Sequence, residues 1–136
     1  MEMLKISLQG LDDFLLYFGL AVAFVAIFLW VYTLITPYSE IKLIREGHHA
    51  AAWSLGFTIM GFSLPLAAAI IHSVHPWDMM LWAVIALVVQ ILVFVIVRLI
   101  LPALTRHIQE GQVASGAFLG CVSLAAGILN AASMTY

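Results

Sequence analysis

The chain has very little charge. Of its 136 residues, 5 are Lys or Arg and 7 are Asp or Glu, or 9% in all. An ordinary water-soluble domain carries about 25% charged residues, so that class is excluded. A net charge of −2, with no basic stripe, leaves no electrostatic footprint for nucleic acid. Cysteine occurs once, at Cys121. One thiol cannot form an intramolecular disulfide, and its apolar flanks supply no cation to activate it, so Cys121 reads as a buried small residue. Motifs for chemistry are missing as well. There is no glycine-rich phosphate loop, no HExxH and no nucleophile elbow, so neither an enzyme nor a resident cofactor is expected. The opening MEMLKISLQGLDD lacks the positive n-region of a cleavable signal peptide.

What is abundant is apolar side chain, at 65% of residues, with a mean hydropathy of +1.13. Bilayer is the solvent these numbers imply. Four apolar runs follow: Phe14 to Ile35, Ala50 to Ile71, Met79 to Leu101 and Ala114 to Met134. Each reaches about 20 residues, enough to cross ~30 Å of hydrocarbon at 1.5 Å per residue. Asp12 and Asp13 stand before the first run and suit a helix start there. That run is rich in large side chains and is expected to face lipid, with Trp30 and Tyr32 as interface anchors. Pro37 and Pro102 end the first and third runs. Pro65 lies inside the second, where it frees the carbonyl of Gly61 and favours a kink.

One unit is written twice. Ile44 to Ala69 falls on Ile108 to Ser133 with a shift of 64 residues, which carries Glu46-Gly47 onto Glu110-Gly111. Each Glu-Gly pair precedes the same kind of helix, and glycine there permits a sharp turn. The loop PYSEIKLIREGHH before the first copy is partly apolar and suits a short helix lying in the interface. Lys42, Arg45, Arg98 and Arg106 lie on the side of the two repeat loops, and only Lys5 on the other. The positive-inside rule then puts both loops in the cytoplasm and both termini outside. The expected fold is an all-α integral membrane protein of four transmembrane helices. They form two parallel two-helix repeats, about 14–71 and 77–134, in a single domain of residues 1–136.

Small residues form stripes. In the fourth span Gly116, Gly120, Ser123, Gly127 and Asn130 share one helix face, and in the second span the equivalent line is Ala52, Gly56, Ile59, Ser63 and Ala67. Lipid gives helices no hydrophobic reason to meet, so close backbone approach is a main source of association. The two stripes are expected to pack together or against a second protomer. Alternatively, with Ser63, Ser123 and Asn130, they would line a narrow polar path. Gln90, in the middle of the third span, needs partners, with Ser63, Ser123 and the carbonyl freed by Pro65 as candidates. Arg98, one turn from Pro102, either snorkels to headgroups or pairs with Glu46 or Glu110. His72, His75 and Asp78 offer imidazole and carboxylate near one another, but Pro76 breaks their spacing and no metal site is expected. His48 and His49 adjoin and point to different helix faces.

The stretches ITPYSEIKLIREGHHAAAWSLG, GFSLPLAAAI, VQILVFVIVRLILPAL and AAGILNAASMTY resemble the small bacterial inner-membrane family built on domain of unknown function 350, the YjfL-like group. The resemblance spans nearly the whole chain. It implies a multi-pass protein of the bacterial cytoplasmic membrane with paired two-helix repeats, and it implies no reaction and no catalytic residues. Two functions are carried forward. One is a non-enzymatic, homo-oligomeric membrane component acting through partners, with a protein partner at the cytoplasmic loops and a role in envelope maintenance. The other is a small channel or transporter subunit for ions or small polar solutes.

Overall fold

The computed structural model describes residues 1–134; Thr135 and Tyr136, the last two of the expected domain, lie outside the described residues. Six helices follow in order: α1 Glu2–Ile35, α2 Glu40–Arg45, α3 His49–His72, α4 Pro76–Ile100, α5 Leu104–Gln109 and α6 Val113–Ser133. Four of them, α1, α3, α4 and α6, are long and apolar enough to cross a membrane. The short helices α2 and α5 sit in the two loops at one end of the bundle.

The first helix begins at Glu2, not near Phe14. Asp12 and Asp13 lie within it and cap nothing. The reason is cooperative: residues 2–13 contain no proline, and extending an existing helix costs far less than nucleating one. Its 34 residues make it about 51 Å long at 1.5 Å per residue. Most of its length is exposed, and its buried residues, Phe24, Phe28 and Tyr32, form a single stripe. Phe28 stacks on Phe62 of α3 with ring centroids 4.7 Å apart, and Tyr32 meets Phe94 of α4 edge-on at 5.3 Å. Trp30 is exposed, whereas Tyr32 is fully buried and is no anchor.

The helix ends have local causes. His48 caps α3, its Nδ1 accepting from Ala51 N at 3.1 Å. Pro76 occupies the first turn of α4, where a missing N–H costs nothing, and His75 accepts from Trp77 N at 3.3 Å. The Glu-Gly pairs close α2 and α5 in the same way. Gly47 has φ +81° and Gly111 φ +89°. Gly47 N donates to Ile44 O at 3.0 Å and His48 N to Leu43 O at 2.9 Å; Gly111 N donates to Ile108 O at 3.0 Å and Gln112 N to His107 O at 2.9 Å. Both are Schellman caps, which need a left-handed residue and therefore glycine. Glu46 and Glu110 are the cap residues just before them.

The helices α3 and α6 make the most extensive contact, with α4 packed against both and α1 held more lightly. Ala50 meets Gly116 near the start of the two helices and Gly61 meets Gly127 further along, so α3 and α6 run parallel.

Candidate functional site

Two places in the bundle concentrate polar or unusual features. The first is the seam between α3 and α6. Gly116, Gly120, Ser123 and Gly127 are buried along it. At Gly116 and Gly127 the Cβ direction points straight at the carbonyl oxygens of Ala50 and Gly61, and at Gly61 it points at the Ser123 oxygen. A side chain on Gly120 would come within 2.7 Å of Phe57 Cβ and 2.8 Å of Trp53 O. These contacts are glycine hydrogens against carbonyls, the weak Cα–H···O geometry common where helices pack closely. Pro65 lies within α3, which runs through it without a break, and cannot donate to Gly61 O. That freed oxygen is the one covered by Gly127.

Gln90 reaches the same seam from α4. It is 1% exposed, and its amide nitrogen donates to Ser123 O at 3.1 Å; its own carbonyl oxygen has no partner. Of the candidate partners, the backbone at Ser123 takes the bond. The Ser63 hydroxyl donates to Ile59 O within its own helix at 2.8 Å. Asn130 lies half-buried at the far end of the stripe with its amide nitrogen unpartnered.

Within one chain, the expected face of α3 is not the one that packs on α6. Ala52, Gly56 and Ala67 are exposed, Ser63 is half-buried, and no atom lies within 4 Å of a side chain built on Gly56. The contacts with α6 come instead from Ala50, Trp53, Phe57 and Gly61. Trp53 and Phe57 also border the exposed side of Gly56, so the two lines are neighbours on α3, about a third of a turn apart at 3.6 residues per turn. The oxygen freed at Gly61 favours the observed face, because a glycine opposite can approach it closely. Around Gly56 the surface forms an open hollow of about 290 Å³ lined by Ala52, Trp53, Phe57 and Met60. On α6, the residues opposite the seam, Ala114, Phe118, Cys121 and Ala125, are exposed as well. Cys121 is thus not a buried small residue.

The second place lies where α1 ends and α2 begins. Glu40, the first residue of α2, is 0% exposed, and neither carboxylate oxygen makes a hydrogen bond. The buried hydroxyls of Tyr32 and Tyr38 are also without hydrogen bonds. Thr36 is the polar neighbour of Glu40, Ser54 that of Tyr38 and Thr58 that of Tyr32. Burial pushes the Glu40 carboxyl up to about 8, against a small opposing effect of Thr36. Burial, with the Glu40 charge behind it, also raises Tyr38 well above the usual phenol range. Arg98 does not pair with Glu46 or Glu110. It is exposed, and its guanidinium donates to Ile35 O at 3.4 Å beside this cluster. Glu110 instead faces Arg106 at 3.7 Å in an exposed pair one turn apart. Sequence reasoning passed over Glu40 as one more loop charge. The available signal was the 64-residue shift, which lays Glu40 on Leu104 and so puts an acid in register with an apolar residue.

The loops are tied to each other by His48, whose Nε2 lies 3.3 Å from Gln109 O. With Nδ1 accepting from Ala51, the ring is the Nε2–H tautomer, and that hydrogen points at α5. Among the described residues, no three His, Cys, Asp or Glu side chains come together as metal ligands, and His72, His75 and Asp78 are no exception.

Four long apolar helices in an all-α bundle, joined by short polar connections, define a multi-pass membrane protein. A family model described as a domain of unknown function, DUF350, matches residues 6–134, and the chain belongs to that family. It is similar to the UPF0719 inner membrane protein YjfL of Escherichia coli strain K12, with 44% identity over 129 residues covering 95% of this chain and 98% of the relative. The protein of the same name from Escherichia coli O157:H7 matches to the same extent. No solved structure matches.

Proposed function

We propose that the protein is a non-enzymatic membrane component that acts as a homo-oligomer, assembled by repeating its own α3–α6 seam between chains. The observation that carries this reading is the front-to-back character of that seam. The stripe Gly116, Gly120, Ser123, Gly127 is the front of α6, and it meets the line Ala50, Phe57, Gly61 of α3. Shifted by 64 residues, that α3 line becomes Ala114, Cys121, Ala125 of α6, its exposed back. The α6 front likewise becomes Ala52, Gly56, Ile59, Ser63 of α3, whose first two residues are exposed. A contact between unlike faces does not close on itself with two units; each added unit offers the next a free face until a ring closes. Two chains supply four such units. The parallel two-helix repeat, with both loops in the cytoplasm and both termini outside, belongs to this reading and is supported by the matching element order and Schellman caps. The loops would then offer partner proteins Glu46, Arg106 and Glu110 on one face.

Cross-linking tests it with a single substitution. Gly120 lies on Phe57 in the chain, and the same contact between chains puts Gly56 of one protomer beside Cys121 of another. Gly56→Cys in native membranes is expected to give oxidant-dependent dimers, and these should vanish when Cys121→Ala is added. Dimers that persist without Cys121, or their absence, would refute the front-to-back assembly.

A channel or transporter subunit is the alternative. Within one chain the carbonyls of Ala50 and Gly61 touch α6, which leaves no width for a path along the stripe. A path would run between protomers, so flux in reconstituted vesicles that Gly56→Leu abolishes would favour it.

A further inference from the structure

The buried acid of α2 has no role in that assembly. Glu40 is fully buried, and neither of its oxygens makes a hydrogen bond. An unpaired carboxylate in such a place is so costly that the group either finds a cation or takes a proton. The Arg98 guanidinium near this cluster is turned to the carbonyl of Ile35. The groups that face Glu40 are neutral hydroxyls from three segments: Tyr32 of α1, Thr36 and Tyr38 of the connection, and, behind the tyrosines, Ser54 and Thr58 of α3. Among the described residues the titratable and charged members of this set are Tyr32, Tyr38 and Arg98, and Arg98 acts on Tyr38. Hydroxyls can accept the proton of a neutral carboxylic acid or donate to its anion; apolar groups can do neither.

The matching position in the other short helix supplies a control. Leu104, the first residue of α5, is 2% exposed. Both short helices therefore insert their first side chain into the bundle. Leucine satisfies that slot unconditionally, whereas glutamic acid satisfies it only when neutral.

We infer that Glu40, with the hydroxyls of Thr36, Tyr38 and Tyr32, is a proton-binding site, and that its proton holds α2 against α3. With the proton bound, α2 stays docked. When the carboxyl ionises, the anion is driven toward water and carries the start of α2 out of the bundle, while α5 stays in place. The sign follows from the raised carboxyl. The folded protein binds this proton more tightly than the unfolded chain, so docking is complete at pH values below an ordinary glutamate's and is lost as pH rises through about 8.

Two measurements on the full chain in lipid nanodiscs test the site. Infrared difference spectroscopy of the unmodified protein is expected to show a protonated carboxyl band that disappears around pH 8, and Glu40→Gln should lack it. A wild-type spectrum without that band, or one whose band titrates in the ordinary range near ~4.3, would overturn the assignment. So would loss of the band on adding sodium at constant pH, which would make an alkali ion the occupant. In the second measurement, amide exchange of α2, corrected for the intrinsic rate, should quicken by about tenfold for each pH unit from an ordinary glutamate's ~4.3 up to about 8, and level off above that. The amides of α5 in the same sample should not respond. Glu40→Leu should make α2 behave like α5, and equal pH responses of α2 and α5 in the wild type would refute the coupling.

Discussion

The loop helices α2 and α5 are built alike but differ at one buried position. Each has six residues, follows a long helix, ends in a Schellman cap on glycine and leads into a helix of the α3–α6 pair. Each buries its first side chain, Glu40 in one and Leu104 in the other. The scaffold therefore demands a buried side chain there and is indifferent to its chemistry. Whatever the acid contributes is conditional on pH, and the leucine shows what the same fold looks like without that condition.

The comparison can be broken most severely at the seam. Gly127→Leu drives a side chain into the Gly61 carbonyl, and overpacking of this kind should cost about 3 kcal/mol. Gly56→Leu meets nothing within the chain and should leave the stability of the isolated monomer within about 0.5 kcal/mol. Thermal unfolding of both in detergent would settle the contrast, and equal losses would mean the outward stripe of α3 is not outward. A middle-sized effect belongs to the caps. Gly47→Ala and Gly111→Ala each force a Cβ into the left-handed region, at about 1–2 kcal/mol apiece. Similar losses in the two variants are expected if the loops are equivalent, and markedly unequal losses would show that one loop carries more of the fold. The smallest effect is at Gln90→Leu. It removes a bond to Ser123 O of the sort that averages ~0.6 kcal/mol in membranes, and it also removes an unpartnered carbonyl oxygen. A change below about 1 kcal/mol is expected from the same unfolding curves.

Much of the fold was legible because membrane helices announce themselves by length and lack of charge. The short helix between Pro37 and His49, the turn glycines Gly47 and Gly111, and the burial of Gly116, Gly120, Ser123 and Gly127 could all be read from pattern. Three features could not. The start of α1 was misplaced because Asp12 and Asp13 look like caps, yet nothing in residues 2–13 stops a helix from propagating. The packing face of α3 was misjudged because Ala52, Gly56 and Ser63 read as a small-residue stripe, whereas the line that packs on α6 also carries Trp53 and Phe57, and its close contact at the Gly61 carbonyl depends on Gly127 of another helix. Glu40 was overlooked because local sequence shows an acid among charges, and only the bundle shows that this one points inward while Lys42 and Arg45 do not.

The grip on α1 has a mechanical consequence. Its contacts with the core begin at Tyr17, and the residues from Glu2 to that point form an arm about 22 Å long at 1.5 Å per residue. A rotation of about 10° at that grip carries the start of the helix through roughly 4 Å on such an arm. The aromatic stripe that acts as its pivot, Phe24, Phe28 and Tyr32, ends in the phenol beside Glu40. A proton's arrival at one face of the bundle is thus placed at the short end of a lever whose long end stands at the other.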